Sequence, residues 1–137
     1  MEDFSKFLIK DYKYWAIYIA KNQGYLGRCV VWCKRKNALE LTDATPEEQK
    51  ELFFVLRKLK EAVKKTFKPD WFNYAFLGNG MRHLHGHFIP RYAKPRKFMG
   101  ITFKDKLYGH NWKTDHLFKT PQNVLVAIQN EIKKALK

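Results

Sequence analysis

Three histidines, His83, His85 and His87, occupy alternate positions in the stretch Arg82–Tyr92. Leu84, Phe88 and Ile89 suit a β-strand, and Pro90 suits the end of one. Successive side chains of a strand point to opposite faces, so the three imidazoles are expected on one face, about 6–7 Å apart. Imidazole titrates close to neutrality, and any of the three can be uncharged near pH 7. Three kinds of role suit such a row. In a structural role every ring needs a hydrogen-bond partner, which is costly for three rings buried together. A His-x-His pair on a strand can chelate zinc, but a metal needs further ligands and carboxylates that orient the rings. The nearest acids in sequence are Asp70 and Asp105, so the local sequence supplies no ligand set and no metal is expected. The third role is nucleophilic: a neutral ring nitrogen can attack phosphorus, splitting one hard displacement into two easier ones. Neighbouring imidazoles and backbone N–H groups can then bind the non-bridging oxygens. Gly78, Asn79 and Gly80, just upstream, give backbone amides close access to a phosphate. His110 and His116 stand apart from the row and read as structural.

The elements that must position the row are readable in outline. Residues 3–9 suit either a short helix or an extended lead-in. Tyr14–Ile19 is aromatic and β-branched and reads as a strand. Asn22, Gln23 and Gly24 mark a turn, with Gly27 following, and Arg28–Cys33 reads as the returning strand of a hairpin. Thr45, Pro46 and Glu48 form a helix start with a capping box. Leu52, Leu56, Leu59 and Val63 then make one apolar stripe, predicting a helix over 46–67 that covers a sheet. Phe72–Leu77 is expected as the next strand, and a tight turn at Gly78–Gly80 is expected to lead straight into the histidine strand. Residues 98–118 look loop-rich. Thr120 and Pro121 repeat the helix-start pattern, and Leu125, Ile128, Ile132 and Leu136 give a second amphipathic helix. The sum is an α+β fold: an antiparallel sheet with one long helix, a C-terminal helix and a third short one at most.

A chain of 137 residues with 45% hydrophobic and 16% aromatic content can bury a sizeable core, and one domain over 1–137 is expected. The formal net charge of +14 favours polyanionic partners such as nucleotides, nucleic acid or an acidic membrane surface. Cys29 and Cys33 share a strand face about 13 Å apart, beyond the roughly 7 Å reach of a disulfide. They read as buried thiols of a reducing compartment. No apolar run reaches about 18 residues, so no membrane span is expected. Met1–Lys10 lacks a signal-like apolar segment, and a cytoplasmic location is expected.

His83–Ile89 resembles the signature of the histidine triad (HIT) superfamily: His, apolar, His, apolar, His, apolar, apolar. The continuation Pro90, Arg91 and Tyr92 is similar to the diadenosine polyphosphate hydrolase-like branch. Gly27–Arg35 resembles that family's glycine, apolar strand and Lys/Arg corner. Thr45–Glu48 resembles its helix start, and Asn73–Asn79 its penultimate strand and loop. Together the resemblance covers roughly residues 14–92. It implies a HIT-like antiparallel sheet, a likeness to homodimers, and no cofactor. It implies action on a nucleoside with a substituted 5′-phosphate, through a covalent nucleotidyl-histidine. His85 would be the nucleophile at the α-phosphate, His87 would contact the phosphate and His83 would hold the site. Asn79 and Gly80 would lie in the phosphate-binding loop, and water would release a nucleoside monophosphate. The resemblance assigns no nucleoside-binding residues. The sequence departs from the pattern at Gly86, where an apolar side chain is usual, which is expected to leave space on the strand's far face. It departs also at Gly80, where many relatives carry Ser or Thr, and at Lys36 and Asn37, where many carry histidine. No acid stands near Lys21 and Asn22 to grip ribose hydroxyls.

A second function class stays open at this level. Lys34–Lys36 and the basic run 91–97, interleaved with Tyr92, Phe98 and Tyr108, could make a nucleotide- or nucleic-acid-binding face with little turnover. A catalytic pocket acting on nucleic-acid ends would join the two readings.

Overall fold

The protein is described by a computed structural model covering residues 4–137; Met1, Glu2 and Asp3 lie outside the described residues. Seven strands and two α-helices follow in order: β1 Leu8–Asp11, β2 Trp15–Ile19, β3 Cys29–Cys33, α1 Pro46–Phe67, β4 Trp71–Ala75, β5 His85–Arg91, β6 Arg96–Phe98, β7 Ile101–Phe103 and α2 Gln122–Ala135. Short 3₁₀ turns at Phe4–Phe7 and Leu41–Asp43 precede β1 and α1. Five strands form one sheet in the order β1-β2-β3-β5-β4, with every neighbouring pair antiparallel, and β6 and β7 make a separate hairpin. The α+β class expected from the sequence is what the chain adopts.

Register sorts the side chains onto two faces. Cys29 pairs with Phe88 and Ile19, Val31 with Ile17, and Cys33 with Trp15, so these residues share the inner face. That face is sealed by Leu52, Val55, Leu59 and Val63 of α1 and by Ile128 and Ile132 of α2, all buried in one core. Trp15 fastens the two layers by donating its ring N–H to the Glu48 carbonyl at 2.9 Å. Val30 pairs with His87 and Trp32 with His85, placing these four on the outer face. Cys29 and Cys33 are free thiols, fully buried, and burial pushes the Cys29 thiol up.

Helix α1 starts as its sequence demands. Thr45 Oγ1 accepts from the Glu48 backbone N–H while the Glu48 carboxylate accepts from that of Thr45. Lys68 closes the helix in the left-handed conformation. Helix α2 does not repeat this device. Its N-cap is Pro121 with no side-chain cap, and Thr120 instead accepts from the Gln23 backbone N–H at 3.0 Å. The Thr-Pro pair therefore ties the β2–β3 loop to the second helix rather than starting it.

Three other expectations are corrected. The β4–β5 connection runs over residues 76–84 and is not a tight glycine turn; Ala75 facing His87 is the last cross-strand pair. The β6–β7 hairpin runs into the segment 98–118, which its short strands, three residues each, did not announce. Gly86 leaves no vacant space: a Cβ there would lie 2.6 Å from Cζ of Phe76, whose ring already fills the gap.

That last fit generates a prediction. Gly86→Ala should cost about 1–3 kcal/mol through overpacking. The same change in a Phe76→Ala chain should cost clearly less. Denaturant unfolding of the two single variants and the double variant measures this, and additive costs would contradict it.

Candidate active site on the outer face

Only two of the three histidines belong to the strand. His85 and His87 lie on β5, while His83 sits in the bend before it. Its ring reaches the same side by another route. Leu84 donates its backbone N–H to the Ala38 carbonyl and its carbonyl accepts from Cys33, which pins the bend against the end of β3. The His83 ring then stacks on Trp32, with centroids 4.1 Å apart and planes 16° apart. Trp32 also stacks on His85 at 5.4 Å. His85 and His87 meet edge to face at 5.2 Å, closer than the backbone repeat because the rings tip together.

Hydrogen bonds assign the protons on two rings, since a carbonyl can only accept. His83 Nε2 lies 2.6 Å from the Cys33 carbonyl oxygen and must carry the hydrogen. His85 Nδ1 lies 2.6 Å from the His83 carbonyl oxygen and must likewise donate. The neutral His85 ring therefore keeps its lone pair on Nε2. His87 differs: its Nδ1 is buried without a partner. A bare lone pair is less costly to bury than an unpaired N–H, so the hydrogen belongs on Nε2. Burial, then the charge of Arg28, then His85 push the His87 pKa down to about 4, so its ring is neutral at working pH. The group thus joins a nucleophilic nitrogen to a neutral donor beside it, which suits displacement at phosphorus.

Beyond His87 the outer face is held by two arginines. Arg91 is buried and bidentate with Asp105, at 2.7 and 3.1 Å, and also donates to Asn73 and to the Leu107 and His110 carbonyls. This network clips the segment after β7 to the sheet. Arg28 precedes β3 and is 8% exposed; it donates to Thr114 Oγ1 at 2.8 Å. The spacing of the histidines identified the row, but nothing in the sequence marked Thr114 as the partner of Arg28. Alternation could have placed Arg28 and Trp32 on the histidine face, two residues either side of Val30.

Asn79 and Gly80 stand exposed in the 76–84 connection, where a Cβ at Gly80 would meet nothing within 4 Å. The depression beside His83 and His85, bounded by Leu39–Leu41 and Phe76–Gly78, holds only about 10 Å³. The three histidines are thus half-buried, with no deep pocket beside His83 and His85. Two clefts of about 550 and 560 Å³ lie elsewhere, lined by Trp71–Tyr74 with Tyr108–Trp112, and by Tyr25, Lys104, Lys106 and Lys113–His116 among others. Neither touches a histidine of the row.

A model of the HIT domain family matches residues 4–94. The chain belongs to the HIT domain family. Among curated proteins it is 32% identical over 99 residues to bis(5′-adenosyl)-triphosphatase of Saccharomyces cerevisiae strains, covering 65% of this chain and 48% of the relative. The chain thus spans about half the length of the curated relatives it matches. Solved HIT structures share the fold: a histidine triad protein of Bradyrhizobium japonicum has a TM-score of 0.73 at 20% identity, covering 96% of this chain and 92% of that one. A histidine triad nucleotide-binding protein of Sulfolobus tokodaii has a TM-score of 0.71 at 17% identity, covering 95% and 83%.

The basic-face expectations need correction. Tyr92 is buried, with its hydroxyl donating to the Leu26 carbonyl, so it cannot stack on a base, and Phe98 is half-buried with its ring packed on Phe67. Lys34 pairs with Asp11 and Arg35 with Glu48, and Arg91 is sequestered by Asp105. Among the described residues no group of three or more His, Cys, Asp or Glu side chains could hold a metal ion. No described helix is long and apolar enough to cross a membrane.

His87 makes the fold acid-sensitive. Its pKa is about 4 in the folded chain against 6.5 ordinarily. Between those values the unfolded chain binds a proton that the folded chain refuses, so this contribution is whole above pH 6.5 and declines as pH falls towards 4. Thermal melts should show a larger loss across that window for the wild type than for His87→Gln. Parallel pH profiles would contradict it.

Proposed function

We propose that the chain is a nucleotide hydrolase, or nucleotidyl transferase, acting on the α-phosphate of nucleoside 5′-phosphate derivatives, dinucleoside polyphosphates among them. The observation that carries this reading is the His85 Nδ1–H bond to the His83 carbonyl, which leaves Nε2 as a free nucleophile beside a neutral His87. The yeast triphosphatase relative supports the substrate class. In the first step the Nε2 lone pair forms a bond to phosphorus as the bond to the leaving oxygen breaks. That oxygen departs with the electron pair and takes up a proton from solvent where its pKa requires one. The His83 carbonyl stabilises the positive ring through the bond from Nδ1. His87 donates from Nε2 to a non-bridging oxygen, and backbone amides near Asn79 and Gly80 take another. In the second step water attacks phosphorus and gives up a proton to solvent, the P–N electrons return to Nε2, and a nucleoside monophosphate leaves. No step is assigned to a metal.

His85→Asn should lower turnover of diadenosine triphosphate by at least about a thousandfold while nucleotide binding stays within a few-fold. Turnover near wild type in that variant ends the proposal. Excess chelator should leave the rate unchanged. Running the wild type on an adenosine phosphoramidate and on adenylated nucleic-acid ends sorts the leaving groups, including nucleic acid as a second class of partner.

The proposal extends to a homodimer working in the cytoplasm. Strand β4 is one of the sheet's two edges, with Trp71 67% and Tyr74 42% exposed, and a second copy covering it would shield these aromatics. Sedimentation should give about twice the 16.4 kDa chain mass, and a monomer at high concentration would exclude this assembly.

A further inference from the structure

Arg28 is a buried cation to which the chain offers no countercharge. Its residue is 8% exposed, and the bond to Thr114 uses one of several N–H donors of the guanidinium. Among the described residues no carboxylate lies within ion-pair distance of it. The chain's other buried arginine, Arg91, is by contrast matched by Asp105 and three further acceptors. Burying a charge without a partner is among the costlier things a fold can do. A cation kept in that condition is suited to an anion that arrives later.

Register says where that anion would lie. Val30 faces His87 across the β3–β5 ladder, so Arg28, two residues earlier, is the diagonal neighbour of His87 on the same face. Diagonal neighbours stand about 7–8 Å apart at Cβ, within reach of an arginine side chain. The Arg28 charge is felt at the His87 ring. Direction matters too. In an in-line displacement the leaving group departs opposite the nucleophile. With His85 attacking from the sheet, the leaving group points away from it. Groups on the same floor as His85 then meet the equatorial oxygens of the phosphoryl group that stays. His87 and Arg28 are such groups.

We infer that Arg28 is a further anion-binding residue of this site, holding the α-phosphoryl oxygens together with His87 and staying bound to them through the covalent intermediate. The inference rests on the phosphoryl-transfer reading above. It adds a permanent charge beside the row of imidazoles and gives the site a fixed hold on a phosphoryl group. Thr114 is then a positioning residue that aims the guanidinium.

Calorimetric titration of the whole chain with AMP tests this without requiring turnover. Arg28→Met should weaken AMP binding by at least about tenfold, the scale of one lost hydrogen bond to a charged group. It should also raise the melting temperature of the ligand-free chain, because an unmatched buried charge is gone. Arg28→Lys should recover part of the affinity, and Lys58→Gln on the outer side of α1 should change nothing. Unchanged AMP affinity in Arg28→Met would overturn the inference, as would a lowered melting temperature, the mark of a merely structural arginine. A wild type that fails to bind AMP overturns it as well. A wild type that binds AMP through Arg28 yet turns over no nucleotide would sink the hydrolase reading and leave the anion site standing.

Discussion

Which nitrogen of His85 keeps its lone pair depends on where one backbone carbonyl points. The His83 carbonyl accepts the hydrogen on His85 Nδ1 and so dictates which nitrogen is basic. Without it the two tautomers of a neutral imidazole would compete, and the exposed nitrogen would carry a hydrogen for much of the time. That carbonyl belongs to a bend rather than to a strand, so no ladder holds it. Leu84 does instead, bonded on one side to Ala38 and on the other to Cys33. The stack of His83 on Trp32 then stops the bend from turning. A reactive lone pair on one side chain is thus set by packing around the preceding turn.

The sheet makes the arrangement all-or-none. Its inner face is mostly apolar and sealed by two helices, and its outer face carries the rings and the arginines. A slip of one residue between β3 and β5 would turn His87 into the core and Phe88 into water. The register that buries Phe88 is therefore the register that presents the histidines. Gly86 and Phe76 reinforce it, because the ring fits over β5 only where a side chain is missing.

Much of this was readable from residue types and spacing. Alternation marked His85 and His87 as strand neighbours, the capping box gave the start of α1 to the residue, and the apolar stripe gave the face it buries. The misreadings share one cause: local patterns resolved by distant partners. Thr120 looks like a cap, but the Gln23 amide takes its oxygen. Tyr92 looks like a stacking platform, but its hydroxyl is spoken for by Leu26. Gly86 looks like a gap, but Phe76 fills it. Arg28 looks like the first residue of a strand, and only the fold reveals that its charge was left unmatched. Spacing reports faces and periods; it does not report which side chain arrives from ten residues away or from ninety.

The ties from Arg28 to Thr114 and from Tyr25 to Lys113 each join residues more than eighty positions apart. Contacts of such separation form late, because closing a long loop must precede them. During synthesis the histidine row can gather as soon as β5 emerges, yet the arginine beside it stays unaimed until the segment around 114 has been made and docked. A ribosome-bound intermediate would therefore carry the histidine row while the Arg28 guanidinium beside it still lacked the threonine that holds it.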